Sequence, residues 1–298
     1  MCSKIAGHLK QQDFFKRVIK SGRLSHSYIL SGISGIGKRM FALEIARSLF
    51  CKNGSFFTEC SCSSCTQVRA GTYPDLYVYG GSELKVENIR QISESAGMTG
   101  LASKWKVFIL DEAEKLSNSS QIVAGNAFLK TLEEPGEDSL FLLITSKYEM
   151  IMPTIRSRCS QVEFAPLNHK EIYSVLSEIR PDMQNMNDII ETCGGSVERA
   201  LMIDDLQISD LLLDIKSRNF KKFIDFILNC NDIQIIKAVM EFIYPLSLAQ
   251  YKKTGRYSYC AYGDYILEIL KRLNYNINID LARHDFVSKT YEVFSERI

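Results

Sequence analysis

The sequence predicts an α/β fold built on a parallel sheet, followed by a helical region. Short runs rich in Tyr, Val, Ile, Leu and Phe alternate with segments whose apolar residues recur at helical spacing. A glycine-rich loop follows the first run, and no strand-like run occurs after residue 166. With 298 residues, 46% of them hydrophobic and 24% charged, the chain is long enough for two or three domains with a substantial core.

Four short apolar segments, each close to turn residues or charges, are predicted as buried parallel strands. They are residues 27–31, 76–79, 106–110 and 140–145. Three segments between them carry apolar residues at helical spacing, namely residues 39–50, 86–95 and 121–132. This alternation of strands and helices is typical of a doubly wound sheet.

The chain beyond residue 166 is predicted to be helical throughout. A small helical unit is expected from residues 169–179, 186–193 and 199–202. From Ser209 onward, apolar runs at 211–215, 223–227, 235–248 and 265–273 predict an antiparallel helical bundle. Within this bundle Pro245 is expected to kink or end its helix, because proline lacks the amide donor that a helix interior needs.

Net charge is uninformative about partners, so any contact with DNA must come from a local patch or from partner subunits, whereas hydropathy argues against a membrane-spanning segment. The formal net charge of +1 supplies no overall attraction to nucleic acid or to a membrane surface. No apolar run approaches the roughly 20 residues that a membrane-spanning helix needs, and the polar N-terminal residues lack the apolar region of a signal peptide. We therefore expect a cytoplasmic protein whose nine cysteines are reduced, which favours metal ligation or burial over disulfides.

The glycine-rich loop has the spacing GxxxxGK of a phosphate-binding loop. Gly32, Gly37 and Lys38 fit that pattern, and Gly35 lies between them. The next residue is usually a Ser or Thr whose hydroxyl ligates the magnesium ion of a nucleotide, but here it is Arg39. Its guanidinium either reaches into solvent or turns toward the phosphates and replaces the charge of magnesium. The loop predicts an ATP or ADP site in which hydrolysis is impaired.

Two adjacent carboxylates, Asp111 and Glu112, follow the predicted strand 106–110. Ligands of open α/β sheets lie at the carboxyl ends of the strands, so these residues suit metal coordination and polarisation of a water molecule. The alternative is a solvated strand end without chemistry. Because a phosphate loop accompanies them, the pair predicts the second half of a nucleotide site.

Four cysteines, Cys51, Cys60, Cys62 and Cys65, lie within fifteen residues. Four thiolates fit a tetrahedral zinc site, with three on one tight loop and Cys51 at a helix end closing it. Four protein ligands leave no open position, so the zinc would be structural and would fold the insert 51–65. The alternatives are four unligated thiols or a redox pair, although no thioredoxin-like context surrounds Cys62 and Cys65.

Several stretches occur in an order that resembles a known family. They are GRLSHSYILSG (22–32), the phosphate loop, the four-cysteine segment, VFILDEAEKL (107–116), AFLKTLEEPGE (127–137), FLLITS (141–146) and IRSRC (155–159). Together they resemble the clamp-loader branch of the AAA+ ATPases, of the bacterial DNA polymerase III type. The resemblance is dense up to about residue 165, and the helical remainder agrees only in layout.

The resemblance implies three domains: an AAA+ α/β domain over residues 1–165 with the zinc insert, a helical lid over 166–208 and a helical collar over 209–298. It also implies a ring of five related subunits, a hetero-pentamer in which motor subunits and a clamp-opening subunit place a sliding clamp on primed DNA. Contact with DNA is then made through the complex, and the collar packs against other subunits.

The resemblance further implies roles for single residues. Arg158 becomes an arginine finger that reaches the ATP of a neighbouring subunit, and Thr145 becomes a polar sensor near the γ-phosphate. A second sensor arginine is expected after Gly195-Ser196-Val197, but Glu198 stands there and Arg199 comes one place late. One position turns a side chain about 100° around a helix. Glu198 is therefore expected to repel phosphate.

The expected function is a clamp-loader subunit that lends its finger without hydrolysing ATP. One alternative is an ATP-hydrolysing motor subunit of the same complex that tolerates Arg39. A second is a phosphate-loop switch or kinase unrelated to replication, against which the four-cysteine insert and the Ser157-Arg158-Cys159 motif argue.

Overall fold

A computed structural model describes most of the chain. The described residues are 5–118, 121–206, 208–273 and 278–295. They divide into two compact units. The first comprises described residues within Met1–Pro181 together with Gly195–Glu198, and the second those within Asp182–Gly194 and Arg199–Ile298. The predicted three-part division with boundaries near 166 and 208 stays a prediction.

A five-stranded parallel sheet forms the centre of the first unit. Its strands are β1 (Ser27–Ser31), β2 (Leu76–Tyr79), β3 (Lys106–Leu110), β4 (Ser139–Thr145) and β5 (Ser160–Glu163), in the spatial order β2-β3-β4-β1-β5. All four predicted strands are confirmed as parallel neighbours. Strand β5 was not predicted, because only Val162 in this edge strand is buried and its other residues are polar and exposed.

Helices flank this sheet. They are α1 (Leu9–Lys20), α2 (Lys38–Phe50), α3 (Ser63–Ala70), α4 (Val86–Gly97), α5 (Ile122–Glu133), α6 (Pro153–Arg156) and α7 (His169–Ile179). The three helices predicted between strands correspond to α2, α4 and α5. The α/β class is thereby confirmed, and α1, α3 and α6 are additions that the sequence did not reveal.

The core of the first unit lies between the sheet and helices α4 and α5. Phe108 and Phe141 stack across β3 and β4 with ring centroids 5.1 Å apart, and Phe128 of α5 meets Phe141 edge to face. Every residue of β1, β3 and β4 is buried, as expected for parallel strands covered on both faces. Packing on both faces holds the carboxyl ends of these strands in place.

The second unit is helical, as predicted. Its helices are α8 (Met186–Thr192), α9 (Val197–Asp205), α10 (Ile208–Lys216), α11 (Lys221–Asn229), α12 (Ile233–Thr254), α13 (Tyr257–Arg272) and α14 (Ile279–Ser295), with α9 beginning in the last residues of the first unit. Pro245 does not end its helix, because α12 continues to Thr254. Among the described residues, no helix combines the length and apolar composition that crossing a membrane requires.

Candidate functional site

The glycine-rich loop connects the end of β1 to the first residue of α2. Gly35 and Gly37 have φ angles of 74° and 91°, a region that residues with a side chain rarely adopt. At Gly32 a Cβ atom would lie 2.5 Å from the carbonyl oxygen of Phe164. At Gly35 it would lie 2.3 Å from Oγ of Ser196. Backbone conformation and close approach therefore both require glycine in this loop.

Lys38 is the first residue of α2, and its side chain lies within the loop. Its Nζ atom donates hydrogen bonds to the carbonyl oxygens of Gly32 at 2.7 Å and Ile33 at 2.6 Å. Burial lowers the pKa of Lys38, and the negative charges of nearby carboxylates, first that of Asp111, oppose this shift. The loop thus holds a buried cation at the position from which lysine contacts phosphate in the GxxxxGK motif.

Arg39 faces the carboxylate that sequence analysis assigned to metal coordination. Its Nη1 atom lies 3.6 Å from Oδ2 of Asp111, and the Arg39 side chain is 58% exposed. An exposed ion pair of this kind contributes little stability, typically about 0–1 kcal/mol. Of the two orientations considered for Arg39, the structure has the guanidinium turned toward the carboxyl edge of the sheet while still touching solvent.

Glu112 and Thr145 lie at the same edge but are bonded to other residues. The Glu112 carboxylate accepts a 2.7 Å hydrogen bond from Nζ of Lys115. The hydroxyl of Thr145, which is buried opposite Ser31 in the sheet, donates a 2.6 Å hydrogen bond to Glu114. Glu114 was not predicted from the sequence, because its contact with a residue 31 positions away depends on the fold. The predicted sensor hydroxyl is therefore already engaged by a buried acid.

The residue that meets the loop from the far side is Glu198. Its Oε2 atom accepts a 2.7 Å hydrogen bond from the hydroxyl of Ser34, and the amide of Val197 donates to the carbonyl oxygen of Gly35 at 2.9 Å. Arg199 instead donates to Glu241 at 2.9 Å. The position where a sensor arginine was expected thus brings a carboxylate against the phosphate loop.

Arg158 lies at the amino ends of the strands, whereas this loop lies at their carboxyl ends. Its backbone carbonyl accepts a 2.9 Å hydrogen bond from the hydroxyl of Ser27, which is the first residue of β1, whereas Gly32 follows the last. Five strand residues at about 3.3 Å each separate these points by about 16 Å. The Arg158 side chain is 35% exposed, and its guanidinium donates to Glu133 at 2.6 Å and to the carbonyl oxygen of Thr154 at 2.9 Å.

The four predicted cysteine ligands converge. Their sulfur atoms all lie within 4.8 Å of one another. In a tetrahedral site with zinc–sulfur bonds of about 2.3 Å, the sulfurs are about 3.8 Å apart, so the spacing fits four-coordinate metal. Cys51 ends α2 as predicted, but Cys65 lies in the first turn of α3 rather than on the loop. The expectation of three ligands on one tight loop was wrong, because a helix begins directly after Cys62.

Nitrogen donors surround the sulfur atoms. The amide of Ser55 donates to Cys51 at 3.4 Å, and Nδ2 of Asn53 donates to Cys60 at the same distance. Hydrogen bonding from the backbone of Cys65 lowers the pKa of Cys62 to about 6, whereas burial raises the pKa of Cys65 to about 12. Donors aimed at sulfur suit thiolates better than thiols, so the cluster has the chemistry of a possible metal site.

Comparison with known families gives one match that covers more than half of the chain. Residues 7–168 match the sequence profile of the family described as DNA polymerase III, delta subunit. This stretch begins at Gly7, two residues before α1, and ends at Asn168, the residue before α7. It therefore contains the glycine-rich loop, the cysteine cluster and Arg158.

Individual relatives carry related names. The chain is 36% identical over 172 residues to DNA polymerase III subunit delta' of Bacillus subtilis, covering 56% of this chain and 51% of that protein. It is 34% identical over 193 residues to subunit delta' of Pseudomonas aeruginosa, with coverage of 62% and 58%. Subunit tau of Escherichia coli is 32% identical over 196 residues, with coverage of 63% and 30%. The chain spans about half the length, or less, of the curated relatives it matches.

Among solved structures, a DNA polymerase III gamma subunit-related protein from Thermotoga maritima resembles the chain with a TM-score of 0.57. The superposition covers 95% of this chain and 99% of that one at 16% identity. At such low identity the similarity shows the fold alone. It agrees with the parallel sheet and with the helices that follow it.

Proposed function

Because the chain belongs to the DNA polymerase III delta-subunit family, we propose that it serves as a delta-prime subunit of a clamp loader and does not itself hydrolyse ATP. Its partners in this proposal are the motor subunits and the delta subunit of a hetero-pentamer, which loads the sliding clamp onto primed DNA. Since the chain spans only about half of its relatives, these partners and the contact with DNA through the complex belong to the proposal.

The observation that carries the proposal is that Arg158 and the chain's own phosphate loop lie at opposite ends of the strands. Arg158 precedes β5 at one edge, about 16 Å from the chain's own phosphate loop. Its partly exposed side chain, which would exchange its bond to Glu133 for a phosphate, supports a role toward nucleotide held by a neighbouring subunit. There it would stabilise the negative charge that develops on the γ-phosphate and so link hydrolysis to assembly.

The chain's own loop supports the second half of the proposal, which is the absence of hydrolysis. Arg39 replaces the hydroxyl that would ligate magnesium and faces Asp111 instead. Glu198 brings a negative charge to the side of the loop where a sensor arginine was expected. Thr145 is bonded to Glu114 rather than directed at a phosphate. Arg39 thus disfavours binding of magnesium, and Glu198 disfavours binding of the phosphates. Thr145 is not available to stabilise the transition state.

Nucleotide binding without turnover is compatible with this arrangement. Gly32, Gly35, Gly37 and Lys38 are the residues that would hold the phosphates of ATP or ADP, through loop amides and the ammonium group. To do so, Lys38 must exchange its bonds to the two loop carbonyls for a phosphate. We propose weak binding, because Glu198 opposes the negative charge of the ligand.

We also propose that the cysteine cluster binds structural zinc. Four sulfur atoms within 4.8 Å and their nitrogen donors support a tetrathiolate site. The bound metal would join the end of α2 to α3 across a loop that has little apolar material. With all four positions filled by protein, it would supply folding energy rather than catalysis.

A motor subunit of the same complex is the second candidate, and the similarity to subunit tau favours it. The deciding experiment is a reconstituted clamp loader containing this chain with Glu112→Gln. If the chain is delta-prime, ATP hydrolysis and clamp loading are unchanged, because Glu112 polarises no catalytic water. If the chain is a motor, the substitution abolishes turnover at its site. The isolated chain provides a second measure, since brisk hydrolysis would contradict the proposal.

A further inference from the structure

Arg47 is a buried cation beside the cysteine cluster. It lies on α2 and is only 3% exposed, whereas arginine is almost never fully buried unless it is paired. Removing a charge from water is costly, and the cost is tolerated where hydrogen-bond partners satisfy the whole group. The contacts of this guanidinium therefore indicate what it does.

One side of the guanidinium is held by Glu44, one turn earlier on α2. Nε of Arg47 donates to Oε2 of Glu44 at 2.7 Å, and Nη2 donates to Oε1 of the same carboxylate. This fork-to-fork geometry fixes the plane of the guanidinium. Glu44 thereby determines which way the remaining donors of Arg47 point.

Those remaining donors reach the cysteine insert. Nη1 donates to Sγ of Cys65 at 3.2 Å, and Nη2 donates to the carbonyl oxygen of Thr58 at 2.9 Å, with a longer contact of 3.5 Å to that of Ser55. Ser55 and Thr58 lie between Cys51 and Cys60 in sequence. One side chain thus bonds to a sulfur of the cluster and to the loop that carries another cysteine to it.

We propose that Arg47 is a positioning residue of the metal site, which orients Cys65 and the 55–58 loop for binding and offsets part of the thiolate charge. This inference rests on the proposed metal site. Four thiolates around a divalent metal carry a net charge of about −2, which a guanidinium donor partly balances. Partners of this kind orient ligands, and losing one typically lowers metal affinity by about 10–100-fold.

The cysteine insert is attached to the C-terminal end of α2 at two places. Cys51 ends this helix, and Arg47 is one turn earlier, so both attach the insert to the same element. The phosphate loop begins the other end of α2 at Lys38. Because Arg47 provides one of these attachments, its loss should loosen the packing of the insert on α2 while all four sulfur ligands remain.

The test measures zinc affinity of the full chain by chelator competition, together with the absorption spectrum of the cobalt-substituted protein. Arg47→Met should lower zinc affinity by about 10–100-fold while stoichiometry stays at one metal per chain. Arg47→Lys keeps the charge but loses the fork, so a smaller loss is expected. Arg90→Met is the matched control, because Arg90 is exposed on α4, outside the cysteine insert, and its replacement should leave zinc affinity unchanged.

Several outcomes would overturn the inference. Zinc affinity of Arg47→Met equal to that of the unaltered chain would refute it. A second refuting result concerns the melting temperatures of the unaltered chain and Arg47→Met, measured with and without zinc. If the difference between the two proteins is as large without zinc as with it, Arg47 is a purely structural cation. An unaltered chain that binds no zinc refutes the metal site itself and the inference with it. If Arg47→Met does not fold, Arg47→Lys decides, and zinc affinity unchanged from the unaltered chain refutes the inference.

Discussion

The hydroxyl of Ser34 donates a 2.7 Å hydrogen bond to the carboxylate of Glu198, so an acidic side chain lies against the phosphate loop. The two residues are 164 positions apart in sequence. A carboxylate at this position opposes the negative charge of any bound phosphate. The proposed weak binding of nucleotide thus rests on this contact as well as on the missing magnesium ligand.

We expect Glu198→Gln to strengthen ADP binding to the isolated chain. Removing one negative charge near the phosphates should raise affinity by about tenfold, or about 1.4 kcal/mol, while the amide can still bond to Ser34. Titration calorimetry with ADP measures the change. Glu191→Gln, an exposed glutamate on α8, serves as the control and should leave affinity unchanged.

Arg39→Thr should make nucleotide binding depend on magnesium. The threonine hydroxyl supplies the missing metal ligand, and the substitution frees Asp111 from its ion pair. We expect ATP to bind about tenfold more tightly with magnesium than with a chelator, which corresponds to about 1.4 kcal/mol. Arg39→Lys retains the charge without a hydroxyl, so it should show no such dependence. A magnesium effect of equal size in both variants would contradict this account.

Arg158→Ala should impair the assembled complex and leave this chain folded. The substitution removes the donated guanidinium, and arginine fingers contribute about 10³–10⁵-fold to turnover at the site they serve. Clamp loading by the reconstituted complex should fall by about tenfold or more, with co-purification unchanged. Arg156→Ala is the control, because Arg156 bonds to Glu149 and lies over the ring of Tyr148. Full-speed loading without Arg158 would rule out the finger.

Cys62→Ser should remove the metal and loosen the insert. Loss of one thiolate from a tetrahedral site should lower zinc content to background and the melting temperature by about 5 °C or more. Elemental analysis and limited proteolysis between residues 51 and 65 measure the two effects. Cys260→Ser on α13 is a control that should change neither. Purified protein lacking zinc in the unaltered chain would remove the metal proposal.

The stability of the protein should depend on pH because His8 is partly buried. Burial lowers its pKa below the ordinary value of 6.5; its hydrogen bond to the carbonyl of Ile36 and the charge of Glu171 oppose this shift, and Lys38 adds to it. As pH falls, the unfolded chain therefore protonates this imidazole before the folded chain does. The stability that the neutral, buried imidazole provides is complete above pH 6.5 and declines as pH falls below that value.

The variant His8→Gln keeps a nitrogen donor near the carbonyl of Ile36 but does not titrate. We expect its free energy of unfolding, measured with urea between pH 5 and 7 at intervals of about 0.5, to decline less steeply toward acid than that of the unaltered chain. His169→Gln at the exposed start of α7 is the control and should keep the unaltered slope. Parallel slopes for all three proteins would contradict the assignment to His8.

Much of the α/β fold follows from local pattern. Strands β1, β3 and β4 are buried on both faces, so their sequences are nearly continuous apolar runs that predict strands directly. The edge strand β5 escaped prediction because only Val162 faces the core. Helix α12 continues past Pro245, where the isolated residue predicted a kink or an end. Packing against neighbouring elements overrides local preference in such places.

The spacing of glycines, lysine and cysteines along the chain was enough to identify a phosphate loop and a four-sulfur cluster, because these features depend on residues close in sequence. The carboxylate of Glu198 at that loop, the bond from Thr145 to Glu114 and the buried Arg47 beside Cys65 depend on the folded chain. Each joins side chains from separate elements, and only three-dimensional packing selects which donor meets which acceptor. Linear order thus specifies the available groups, whereas tertiary contacts decide their charge and their partners.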